Sequence, residues 1–86
     1  MKLIFTKHFK ERLKQRFKSE AKVVAGIVVE KLKAEIKKLV RDLVEVGEAE
    51  LLIRFNGEVV KVPLAADLKE NAVVLKTIIR LNGKWL

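Results

Sequence analysis

At Gly47 the spacing of apolar residues switches from helical to period two, so this chain has to bury a helical stripe against one face of a sheet. Before the switch, Phe9, Leu13 and Phe17 recur every four residues and predict a helix over Lys7 to Lys18. Thr6 is its N-cap candidate, and Lys2 to Phe5 read as a short strand before it. Ser19 offers a second cap, with Glu20 in the favourable first turn of a helix running to about Val46. In that helix Val24, Val28, Leu32, Ile36, Leu39, Val40 and Leu43 keep helical spacing. Val23, Ala25, Ile27 and Val29 widen the apolar face, so its first half is expected to be buried on more than one side. Gly26 allows either close packing or a break there.

After the switch, Leu51, Ile53 and Phe55 alternate with Glu50, Leu52 and Arg54. Asn56-Gly57 is the strongest short-range hairpin signal, and a two-residue loop sets Ile53 opposite Val60 and Leu51 opposite Val62. Pro63 predicts a strand end or a sheet edge. Ala65 to Asn71 read as a loop or short helical turn. Ala72 to Leu81 read as the longest strand, with Val73, Leu75, Ile79 and Leu81 on one face. Asn82-Gly83 turns the chain again, and Trp85 is expected to pack near the end. The predicted order is β-α-α-β-β-β: a single α+β domain over 1–86, with an antiparallel sheet packed on two N-terminal helices.

The formal net charge is +8, and it is unevenly placed. Residues 1–19 hold seven Lys/Arg against one acid, while 20–46 and 47–86 each hold six against five. A basic excess confined to one end is the electrostatic footprint of an anionic polymer or surface. With no cysteine, disulfides and thiolate metal sites are excluded, and a single His makes zinc improbable; no metal and no cofactor are expected. No apolar run approaches the ~20 residues that span a bilayer, and the opening is too short for a signal-peptide core. A cytoplasmic location without membrane contact is the expectation. Uncharged polar residues are scarce, a balance seen in hyperthermophile proteins and in idealised designed sequences.

Two constellations could carry function. His8, Arg12 and Arg16 lie four apart and share a helical stripe beside Phe9, Leu13 and Phe17, so they emerge at the edge of the core. Arginine grips phosphate bidentately, and histidine moves protons near neutral pH. The competing reading has the arginines reach back to strand-end carbonyls or acids. Lys7 and Lys10 extend the basic surface of the same helix. The second constellation is on the sheet. If Leu51, Ile53, Phe55, Val60, Val62, Leu75 and Ile79 face the helices, then Arg54, Lys61, Lys76 and Arg80 project from the other face as a cradle for a phosphodiester backbone. Leu52, Val59, Val74 and Ile78 would share that face, which points to partner contact or a homodimer through it. No nucleophile motif or glycine-rich phosphate loop is present. With no Tyr and one Trp, backbone and shape recognition is favoured over base reading.

The opening Phe5-Thr6-Lys7-His8-Phe9-Lys10-Glu11-Arg12-Leu13-Lys14-Gln15-Arg16 resembles the start of small toxins of the RelE and BrnT superfamily. In these a first strand ends in Ser/Thr-Lys-His and a helix follows with His, Arg and Arg four apart. Residues 4–17 carry the likeness, and 49–81 support it by topology. The resemblance implies an RNA-directed toxin or metal-independent ribonuclease, with the RNA 2′-hydroxyl attacking the adjacent phosphate. By position it makes His8 an acid–base candidate and Arg12 and Arg16 phosphate clamps, and it implies an acidic antitoxin as a protein partner. The chain departs from the family in having no Tyr or His near residue 86 and in its long second helix. Two other classes stand beside this reading. One is a non-catalytic binder of nucleic acid or a protein-inhibiting regulator of phage type. The other is a structural or designed α+β domain without a ligand.

Overall fold

The computed structural model describes residues 2–81. Strand β1 (Lys2–Phe5) leads through Thr6 into helix α1 (Lys7–Phe17). The Thr6 side chain accepts a hydrogen bond from the Phe9 N–H at 3.1 Å, as an N-cap does. Helix α1 buries Phe9, Leu13 and Phe17, the stripe that the spacing predicts. It ends at Lys18, whose φ of 48° is one that residues with a side chain rarely adopt. A 3-10 turn (Lys18–Glu20) then bends the chain into helix α2 (Ala21–Val46). Ser19 lies inside that turn and Glu20 takes the cap position without a side-chain hydrogen bond, so the predicted second cap is not formed.

Helix α2 buries Val24, Val28, Leu32, Leu39 and Leu43. One stripe faces the sheet, and the expected burial of its first half on several sides is met only in part: Ala25 and Ile27 pack against the core beside Val24 and Val28, while Val23 is 58% exposed. The helix runs unbroken through Gly26, where an added Cβ would meet nothing within 4 Å. Gly47 closes it in the left-handed conformation, φ 86°, donating its N–H to Leu43 O at 3.0 Å.

Strands β2 (Glu48–Phe55) and β3 (Glu58–Asp67) form the predicted hairpin, with Ile53 opposite Val60 and Leu51 opposite Val62. Asn56 and Gly57 both have positive φ, 51° and 77°, as a type I′ turn requires. Strands β4 (Ala72–Leu75) and β5 (Ile79–Leu81) follow. The sheet order is β1-β4-β3-β2, with β5 also paired to β3.

The sheet is mixed and not antiparallel, because β1 pairs parallel with β4. The helices carry the chain back to the end of the sheet where β1 began, so β2 runs in the direction of β1. Two reversals later β4 does too, and it takes the slot beside β1.

The predicted strand from Ala72 to Leu81 is broken in two, for a traceable reason. Pro63 lies inside β3, a strand with neighbours on both sides, and not at an edge or strand end. Its carbonyl accepts from the Lys76 N–H at 3.0 Å, but it has no N–H to return to Lys76. Thr6 Oγ1 stands within hydrogen-bond reach of the Lys76 and Leu75 carbonyls instead, at 3.1 and 2.9 Å. Leu64 pairs with Leu75 and Lys61 with Ile79, so Val62 and Pro63 stand opposite three residues, Lys76, Thr77 and Ile78. That one-residue bulge reverses the alternation. Ile78, and not Ile79, is fully buried, and Arg80 pairs with the inward residue Val60. The segment after Ala65 is also shorter than expected, since β3 continues to Asp67.

The core lies between the helices and the inner sheet face, and Phe5–Phe9 and Phe17–Phe55 ring contacts tie α1 to both ends of the sheet. No helix among the described residues is long and apolar enough to cross a membrane. The predicted Asn82-Gly83 turn and the Trp85 contact lie outside the described residues.

Candidate nucleic-acid interface

Helix α1 buries one stripe and presents two basic flanks. At about 100° per residue, His8, Arg12 and Arg16 fall on one flank of Phe9, Leu13 and Phe17. Lys7, Lys10 and Lys14 fall on the other, roughly 165° away around the helix. The two predicted groups on this helix are therefore separate surfaces. Glu11 and Gln15 lie on the outermost line between them.

The His/Arg flank is graded in burial. His8 is exposed, whereas Arg12 and Arg16 are half-buried at the core's edge, as the spacing predicts. Arg12 donates to Gln15 Oε1 at 3.3 Å. Among the described residues the buried Arg16 Nε has no hydrogen-bond partner. Among the described residues neither guanidinium reaches a strand-end carbonyl or an acid. On the other flank Lys7, Lys10 and Lys14 are all exposed. Lys14 belongs to this row although it was not among the predicted contacts. The i, i+3, i+7 spacing from Lys7 is the signal that finds it.

The predicted cradle on the sheet does not assemble. The bulge after Leu75 sends Arg80 to the helix side, where it lies 5.0 Å above the Phe17 ring. There it donates to Arg16 O at 2.7 Å and to Glu58 Oε2 at 2.9 and 2.5 Å. Lys61 stays on the open face but is ion-paired with Glu50. Lys76 lines a shallow depression with Asp42, Glu48 and Glu50, among more negative than positive charge. Arg54 and Lys76 are exposed and in no ion pair among the described residues, and only Arg54 stands clear of the acid-rich depression. By alternation from the paired register, Leu52, Val59, Ile79 and Leu81 share this face, so its centre is more apolar than basic.

Comparison with protein families, with curated proteins and with solved structures finds no match. The surface therefore has to be read from its own chemistry. The four ion pairs among the described residues are Lys2–Glu70, Lys31–Glu35, Lys61–Glu50 and Arg80–Glu58. None involves a cation of α1. Also among the described residues, no group of three His, Asp or Glu side chains could hold a metal ion. What α1 can do is present three cationic or imidazole side chains on each of two flanks, on a rigid rod, to phosphates.

Proposed function

We propose that this protein binds the phosphodiester backbone of RNA through helix α1, with the lysine flank as the principal contact. The observation that carries this is the concentration of charge. Helix α1 holds Lys7, Lys10, Arg12, Lys14 and Arg16 against a single acid, Glu11, and none of the five is ion-paired among the described residues, whereas the cations of α2 share their helix with four acids. Unpaired lysines on one helix face neutralise phosphates and release counterions, each steepening the salt dependence of binding by roughly 0.7 to 0.9 in log–log slope. The shortage of exposed aromatic rings makes this recognition of backbone rather than of base. A second reading rests on the other flank. The half-buried Arg12 and Arg16 are held beside an exposed His8, an arrangement suited to metal-free cleavage of RNA, as the RelE/BrnT resemblance implies.

The deciding experiment uses end-labelled single-stranded RNA in EDTA over a series of salt concentrations. Three proteins are compared: the wild type, a Lys7→Gln/Lys10→Gln/Lys14→Gln variant and His8→Ala. All changed side chains are exposed, so the fold survives. A salt-dependent shift whose slope falls by about 2 to 3 in the triple variant supports the binding reading. Cleavage lost in His8→Ala supports the catalytic one. Wild-type protein that neither shifts nor cuts RNA at low salt overturns both.

A further inference from the structure

Strand β2 is an outer strand: among the described residues it pairs with β3 and with no other strand. The two-residue turn makes Phe55 and Glu58 the first hydrogen-bonded pair, so the pairs at Ile53, Leu51 and Ala49 carry the ladder to β3. Pro63 obeys the same phase, since its carbonyl points to Lys76 and away from Glu50. The backbone N–H and C=O of Glu48, Glu50, Leu52 and Arg54 consequently point off the free edge. That edge is eight residues long and has neither proline nor bulge, the features that usually blunt such a template. A groove lined by Ile27, Lys31, Leu52, Ile53, Arg54 and Val59 runs beside it, between α2 and the open face. Leu52 is 54% exposed, and the exposed Val23 lies one turn before Ile27 on the same stripe of α2.

We infer that β2 pairs antiparallel with β2 of a second copy of this chain, joining the two sheets into one. The order of charge along the strand selects this partner. Reading its open-face side chains in sequence gives Glu48, Glu50, Leu52 and Arg54: acidic at the start, basic at the end. Such a strand is complementary to itself only when reversed. With the two-fold axis at Leu51, Glu48 stands opposite the partner's Arg54 and Glu50 opposite the partner's Leu52. All four outward-pointing residues then form hydrogen-bonded pairs, about eight backbone hydrogen bonds in total. Glu48 and Arg54 have no ion-pair partner of their own among the described residues, whereas Glu50 is held by Lys61. The two Leu52 side chains become diagonal neighbours across the axis, which covers the more exposed apolar residue of the edge. This arrangement differs from a dimer through the open sheet face, which it leaves free.

Sedimentation equilibrium of the full chain tests it, with far-UV circular dichroism as the control for folding. The wild type is expected to be a dimer. Arg54→Glu sets like charges opposite each other at two symmetric places and should weaken the dimer at least tenfold. Adding Glu48→Arg to Arg54→Glu restores opposite charges and should restore dimerisation. Leu52→Pro removes an N–H that β3 does not use, so it leaves the hairpin folded and gives a monomer. A monomeric wild type, a dimer that persists in folded Leu52→Pro, or a double charge reversal that stays as weak as Arg54→Glu would overturn the proposal.

Discussion

Arg80 shows how much one residue's position depends on events elsewhere in the chain. Read by simple alternation, it belongs to the open sheet face with Arg54 and Lys61. One extra residue opposite Val62 and Pro63 sends it to the helix side, where it covers Phe17, touches the last turn of α1 and pairs with Glu58. Its contribution is then to stability. A cation over an aromatic ring, a hydrogen bond to a helix carbonyl and a partly exposed ion pair together come to about 1 to 2 kcal/mol. Arg80→Ala is expected to lower the denaturant midpoint by that amount and to leave the salt slope of RNA binding unchanged. Arg54→Ala, which removes an exposed side chain, should shift stability by less than about 0.5 kcal/mol. Equal effects of the two substitutions on stability would mean that Arg80 does not dock on α1.

Among the elements, the joint between the helices is where local and tertiary demands conflict. Phe17 must reach Phe55, and Val24 must begin the buried stripe of α2, so the chain bends within three residues. Lys18 absorbs the bend at φ 48° and ψ −117°, a conformation natural for glycine. Strain of this kind costs roughly 1 to 3 kcal/mol, and glycine's greater freedom in the unfolded chain returns 0.4 to 1 of it. Lys18→Gly is therefore expected to stabilise the protein by about 1 kcal/mol, measured by thermal or urea unfolding; destabilisation would mean that the joint is not strained. Sequence periodicity places both helices and the hairpin correctly, since each is set by contacts near in the chain. The parallel β1–β4 pairing and the split strand were not legible that way. Residues Val73 to Leu81 fit either alternation, and the choice is made by Pro63 and Thr6, distant partners that no local pattern contains.

For the whole molecule, charge asymmetry was legible from the first nineteen residues, and the fold keeps it: no cation of α1 is ion-paired among the described residues, while Lys61 and Arg80 of the sheet are. What the sequence could not supply was which basic residues share a surface, because that depends on the bulge and on how α1 rolls onto the core. Concentrated like charge destabilises the free protein at low ionic strength, and a polyanion relieves it. These two effects predict opposite responses in one variant. Salt alone should raise the melting temperature of the wild type modestly by screening. Poly(U) RNA at low salt should raise it further by mass action, about 2.7 kcal/mol when free RNA is a hundredfold above Kd, on the order of 10 °C for a domain of this size. In Lys7→Gln/Lys10→Gln/Lys14→Gln, the melting temperature without RNA should go up at low salt, because repulsion is removed, while the gain from poly(U) shrinks. Calorimetry with and without the polymer reads both signs. A triple variant that is less stable alone, or that keeps the full gain from RNA, would show that the lysine flank of α1 is neither the source of the repulsion nor the place where the polymer binds.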